Sequence, residues 1–187
     1  MEFYLIRHGQ ADMSRAMDPY TPPLSSEGRA QAERLAEACA RWGIQFLCAS
    51  TMRRAQETAD AITARLPDIL RWDLEELEDV TLDDLHYEPT AGQWASTWTE
   101  DQLDRAFRQV WARVMSALAR IEVYAAANGI ERIAIVAHGS TITLFLLNWL
   151  GLDWRARSRL EFAVAPGMTC RVTTEGERVR IDWVNTL

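Results

Sequence analysis

Two short apolar runs constrain this chain more than anything else in it. Phe3-Tyr4-Leu5-Ile6 and Ile133-Ala134-Ile135-Val136-Ala137 carry no alternating polar residue, so each reads as a strand covered on both faces. Each then stops on a histidine and a glycine. Arg7-His8-Gly9 follows the first run, and His138-Gly139 follows the second. The chain has three histidines, and two of them occupy this same kind of place.

Strands of this kind need helices on both faces, and helix signals do alternate with them. Residues 12–23 hold Pro19, Pro22 and Pro23 and read as a surface loop. Ser25 or Ser26 caps a helix reaching Trp42, with Ala32, Leu35, Ala36 and Cys39 at helical spacing and Gly43 as its stop. Residues 46–49 form a short buried strand ending at Ser50, residues 52–66 a helix closed by Pro67, and residues 69–72 another strand. Residues 73–100 follow no firm pattern. Leu103, Phe107, Val110, Val114, Leu118 and Ile121 trace one face of a long helix over residues 101–128, stopped by Gly129. A helix over 140–150 follows the second histidine. Strands are predicted at 160–165, 169–174 and 179–184, with turns at Pro166-Gly167 and Glu175-Gly176. This order predicts one α/β domain over residues 1–187, a three-layer αβα sandwich around a mixed, mostly parallel sheet.

Composition narrows the chemistry. The net charge of −7 argues against a nucleic-acid partner or an anionic membrane surface, so any bound anion must meet a local basic pocket. All twenty basic residues are arginine, which excludes lysine-dependent chemistry such as Schiff bases. Three cysteines without CxxC spacing indicate neither a disulfide framework nor a zinc ribbon. No signal-peptide pattern follows Met1, and the longest apolar stretch is too short to cross a bilayer, so a cytoplasmic location is expected.

Ligands of such sheets bind outside the carboxyl ends of the strands. Arg7, His8, His138 and the Ser50–Arg54 turn therefore converge on one rim. Their arginines and histidines make a compact cationic pocket suited to phosphate, whose oxygens match guanidinium forks. The residues here resemble a family. Arg7-His8-Gly9-Gln10 is similar to the RHG signature of the histidine phosphatase superfamily, its phosphoglycerate mutase-like branch. Leu24-Ser25-Ser26-Glu27-Gly28 with Gln31-Ala32, then Ser50-Thr51-Met52-Arg53-Arg54-Ala55 with Thr58-Ala59, resemble its next two segments. Ile135-Val136-Ala137-His138-Gly139 resembles its second histidine motif. The motifs fall in family order over residues 3–140.

The resemblance implies a phosphoric monoester hydrolase needing no metal or other cofactor. His8 would be the nucleophile that forms a phosphohistidine. Arg7, Arg54 and His138 would hold the phosphoryl oxygens, with Gly9, Gln10 and Gly139 also lining the phosphate site. A carboxyl group would protonate the leaving oxygen. Leu74-Glu75-Glu76 matches the family's Leu-x-Glu pattern and points to Glu76, with Glu75 and Glu78 as other registers. Ser140 reads as a helix cap, since no G-x-S-x-G elbow surrounds it. His86 reads as a loop residue, and Trp94 and Trp98 as packing or as walls of the substrate site. The expected partner is a small phosphorylated metabolite. Three alternatives remain: a phosphohistidine protein phosphatase, a phosphoglycerate mutase, or an inactive phosphate-binding regulatory module. The sequence implies no oligomeric state.

Overall fold

A computed structural model describes residues 1–15, 22–80, 99–160 and 162–186. Strand β1 (Glu2–Arg7) leads through a short 3-10 turn to helix α1 (Ser26–Trp42), then β2 (Phe46–Ser50) and α2 (Arg53–Arg65). Next come β3 (Leu70–Leu74), α3 (Glu100–Ala127), β4 (Arg132–Ala137) and α4 (Gly139–Trp149). A hairpin of β5 (Thr169–Glu175) and β6 (Arg178–Thr186) follows. The six strands lie in the order β3-β2-β4-β1-β5-β6. The first four are parallel; β5 runs antiparallel to β1, and β6 to β5.

The apolar runs are buried on both faces because alternate residues enter two different cores. Phe3, Leu5, Phe46, Cys48, Ile133 and Ile135 pack with Val110, Val114, Leu118 and Ile121 of α3 and with α4. Tyr4, Ile6, Leu47, Ala49, Ala134 and Val136 pack with Leu35, Ala36 and Cys39 of α1 and Ala55, Ala59 and Ile62 of α2. This is the expected three-layer sandwich. Each large apolar side chain buried this way contributes about 1.5–3 kcal/mol. The three cysteines are buried and unpaired. No helix among the described residues is long and apolar enough to cross a membrane.

Local signals account for both ends of α1 and the start of α3. Ser25 Oγ accepts from Gly28 N at 3.0 Å as the cap of α1, and Gly43 closes that helix in the left-handed region at φ 66°. Thr99 and Gln102 form a capping box that starts α3. Two expectations change. Strand β3 runs to Leu74 rather than ending at 72, and Glu75–Leu77 then forms a 3-10 turn. Residues 162–165 form no strand, because β5 already occupies the edge of β1 that they would pair with. They lie instead across the end of β1, where Gly167 N donates to Arg7 O at 3.1 Å and His8 O at 3.0 Å. His86, Trp94 and Trp98 lie outside the described residues.

The junction of β1 with α1 is a close backbone approach. A Cβ on Gly28 would lie 2.1 Å from Gln10 O, and one on Gly9 would lie 2.4 Å from Gly28 O. The obstacle is backbone, so it cannot swing aside. Gly28→Ala is therefore expected to cost about 1–3 kcal/mol, as overpacking commonly does. That lowers the melting temperature by roughly 2–4 °C per kcal/mol for a chain of this size. An unchanged melting curve would contradict this reading of the junction.

Candidate active site

Sheet register brings the two histidines together. Arg7 pairs with Ala137 across the parallel strands β1 and β4, so His8 and His138 leave neighbouring strands at the same level. Their ring centroids are 5.1 Å apart. On the other side of β4, β2 ends at Ser50, whose Oγ lies 2.9 Å from His138 Nε2. The turn after Ser50 opens α2, and the first turn of that helix carries Arg54, which is 8% exposed.

The bonds of His8 define which nitrogen is free to react. Its Nδ1 lies 2.7 Å from Gly9 O. A carbonyl only accepts, so this bonding assigns the ring hydrogen to Nδ1 and the lone pair to Nε2. Arg54 Nε donates to that lone pair at 3.0 Å. Gly9 is itself held, its N–H donating to Thr58 Oγ1 at 3.1 Å. Burial lowers the His8 pKa well below 6.5, reinforced by His138, Arg54 and Arg7, while the Gly9 carbonyl opposes the shift. Burial likewise lowers the His138 pKa, helped by Arg54, Arg113 and Arg7. Both imidazoles are neutral at neutral pH.

This burial makes stability depend on pH. The unfolded chain protonates these histidines below about 6.5, whereas the native chain resists until a much lower pH. Their contribution to stability is complete above that value and is lost as pH falls below it. Unfolding followed by calorimetry from pH 8 to pH 5 should therefore register a declining melting temperature. A His138→Gln variant should decline less over the same range. Equal declines in the two proteins would remove His138 as a source of the effect.

The arginines present donors around the same point. Arg7 Nη1 donates to Val164 O at 2.7 Å, which fixes its guanidinium beside Gly139; a Cβ there would lie 3.5 Å from Arg7 Cζ. Among the described residues, Arg7 Nε and His138 Nδ1 are buried without a hydrogen-bond partner. Ser50 Oγ accepts from Met52 N at 3.2 Å, so its own hydrogen is available to His138 Nε2. Buried ring and guanidinium nitrogens without a partner in a cationic pocket are groups that an anionic oxygen can satisfy. Arg53 is elsewhere, paired with Glu57 on the surface at 2.7 Å. Gln10 lies at the junction with α1, its N–H donating to Gln31 Oε1 at 2.7 Å and its side chain accepting from Ser25 Oγ at 3.2 Å.

The carboxylate at this point is Asp79, not Glu76. Asp79 Oδ2 lies 3.4 Å from Arg54 Nη2 and 3.8 Å from His138 Nδ1, and Ser140 Oγ donates to its Oδ1. Glu76 is instead ion-paired with Arg120. Glu75 is exposed, and Glu78 accepts from Thr51 Oγ1 at 2.5 Å. The 3-10 turn at Glu75–Leu77 buries Leu77 fully, and Glu76 lines a separate cavity with Arg120 and Arg113. Arg113 of α3 fastens the turn. Its Nη1 donates to Glu76 O at 3.1 Å and Glu78 O at 2.8 Å, and its Nη2 to Asp79 O at 2.9 Å. Ser140 is not the cap of α4, a position His138 takes without a side-chain bond.

The model of one family, the histidine phosphatase superfamily (branch 1), matches residues 3–187. The chain belongs to the histidine phosphatase superfamily. The expectation of a phosphoric monoester hydrolase stands with that membership. Among curated proteins, this histidine phosphatase is 28% identical over 174 residues to "Probable phosphoglycerate mutase GpmB" of Enterobacter sp. (strain 638), covering 86% of this chain and 80% of that one. It shares its fold with the mycobacterial glucosyl-3-phosphoglycerate phosphatase solved with VO3, at 22% identity and a TM-score of 0.76, over 100% of this chain and 99% of that one. The α-ribazole phosphatase of Shigella flexneri is likewise similar, at 20% identity and a TM-score of 0.74, over 100% and 96% of the two chains.

Proposed function

We propose that this protein hydrolyses phosphomonoesters of small metabolites through a phosphohistidine on His8, without a metal ion. The observation that carries the reading is the His8 tautomer: Nδ1 bonded to Gly9 O leaves a neutral, buried Nε2 lone pair among Arg7, Arg54 and His138. Nε2 exchanges its bond from Arg54 Nε for a bond to phosphorus as the ester P–O bond breaks. Asp79, in its protonated form, gives its hydrogen to the leaving oxygen. Arg7, Arg54 and His138 Nδ1 hold the remaining oxygens, where charge grows as the phosphoryl group transfers. Water then attacks phosphorus, Asp79 takes its proton, and the P–N bond breaks to return neutral His8. Gly139, at the start of α4, leaves room for the Arg7 guanidinium beside the phosphoryl group.

The decisive experiment is turnover of p-nitrophenyl phosphate in the presence of EDTA. Sustained turnover supports the metal-free hydrolase; loss that is reversed by a divalent ion refutes it. The named relative from Enterobacter supports a second reading, phosphoglycerate mutase. Incubation with 3-phosphoglycerate and 2,3-bisphosphoglycerate separates the two, since a mutase isomerises the monophosphate while a phosphatase releases inorganic phosphate. Asp79, bonded to Ser140 and Arg54, can serve as the acid and base in either reaction, so the product decides between them.

A further inference from the structure

A groove of about 510 Å³ starts at Arg7, Gly139 and Ser140 and extends away from the two histidines. One side of it is apolar, beside the polar side chains of Thr143, Ser158 and Glu100. Leu103 and Phe107 come from α3, Leu144 from α4, and Leu160 and Phe162 from the segment that follows the 3-10 turn Trp154–Ser158. Arg157 also lines it. The Arg157 guanidinium lies over the Phe107 ring at 4.4 Å, and its Nη1 donates to Trp154 O at 3.3 Å. The volume falls within the roughly 300–1,000 Å³ of small-molecule sites. Ser140, at the near end, is the residue bonded to Asp79, so the groove opens beside the proton donor for the leaving oxygen.

We propose that this groove receives the alcohol part of the substrate, and that this part is an apolar, ring-sized body bearing an acidic group held by Arg157. The inference deepens the phosphomonoesterase reading and rests on it. A small polar alcohol would leave the leucine and phenylalanine walls in water, whereas a ring removes that apolar surface from it. A guanidinium over a ring keeps its N–H edge for a carboxylate. No carboxylate among the described residues is ion-paired with Arg157. Among the described residues, Glu100, in the first turn of α3, is the other charged side chain from outside the phosphate pocket that lines the groove. A basic substituent would favour Glu100 instead.

Four alkyl phosphates test this directly: glycerol 3-phosphate, 3-phenylpropyl phosphate, and the latter with a para carboxyl or a para aminomethyl group. All leave as similar primary alkoxides, so ratios of kcat/KM report groove contacts rather than leaving-group basicity. The phenylpropyl ester should exceed glycerol 3-phosphate by about tenfold or more, and the carboxyl ester should exceed the phenylpropyl ester by about another fivefold to tenfold. Arg157→Gln should remove the second ratio and spare the first. Phe107→Ala should reduce the first, and Phe107→Leu serves the same comparison if the alanine variant misfolds. Equal kcat/KM for ring and glycerol esters, a preference for the aminomethyl ester, or a carboxyl preference that survives Arg157→Gln would overturn the groove assignment while leaving the hydrolase intact. Failure to hydrolyse any of the four, or p-nitrophenyl phosphate, would remove the hydrolase reading and this inference with it.

Discussion

Replacing His8 with alanine is expected to abolish turnover, lowering kcat by on the order of 10⁵-fold or more, as loss of a covalent nucleophile does elsewhere. The reason is positional as much as chemical. Nε2 is the His8 ring nitrogen with a lone pair, Arg54 Nε donates to it at 3.0 Å, and strand pairing fixes the residue, with His8 N donating to Ala137 O at 3.1 Å. Rapid mixing with ³²P-labelled substrate followed by an alkaline quench should trap acid-labile label on the wild-type chain and none on His8→Ala. The variant should still melt cooperatively, because the β1 core residues Phe3, Leu5 and Ile6 are untouched. Label persisting in a folded His8→Ala protein would transfer the nucleophile to another residue.

Asp79→Asn should produce the second largest effect, and its size should follow the leaving group. An alkyl phosphate expels a strongly basic alkoxide, so removing the proton donor should slow phosphoryl transfer by roughly 10²–10⁴-fold. Nitrophenolate needs no proton, so that step should be far less sensitive with p-nitrophenyl phosphate. Dephosphorylation still loses its base, and a burst of nitrophenol should precede a slow steady state. Glu76→Gln breaks only a partly exposed ion pair with Arg120, worth about 0–1 kcal/mol, and should leave both substrates nearly unaffected. If Glu76→Gln reproduces the leaving-group dependence and Asp79→Asn does not, the proton donor is Glu76 and the turn rearranges on binding.

Why the sequence pointed to His8 but not to Asp79 follows from what each residue depends on. An unbroken apolar run must lie in a buried parallel strand, and such strands end on one rim. That logic reached Arg7, His8 and His138 and the Arg53-Arg54 pair after β2, and the family resemblance singled out Arg54. Asp79 depends on a register that the chain states twice. Leu74-Glu75-Glu76 and Leu77-Glu78-Asp79 are both leucine, any residue, acid, three positions apart. Only the extension of β3 to Leu74 and the full burial of Leu77 choose the second. Arg113 was also illegible, because its role is to bind carbonyl oxygens, which leave no trace in residue type. The segment at 162–165 misled for a different reason. Its composition suits a strand, but strand formation requires a free neighbour, and the hairpin of β5 and β6 had already taken it.

The position of β1 sets the order in which this enzyme can assemble itself. Both neighbours of β1 come from far along the chain: Phe3 pairs with Ile133 on one side and Val172 on the other. On the ribosome, the segment carrying His8 emerges early and then waits, without a sheet to join, while well over a hundred later residues are made. Helices α1 and α2 can pack against each other in the meantime, and α2 can bring Arg54 and Thr58 to His8 and Gly9, but the His138 side of the pocket is missing until β4 arrives. Such long-range pairing slows folding and prolongs exposure of an apolar strand. Catalytic competence in this chain is therefore a late event of synthesis, and β1 is an apolar strand that needs cover until β4 and β5 arrive.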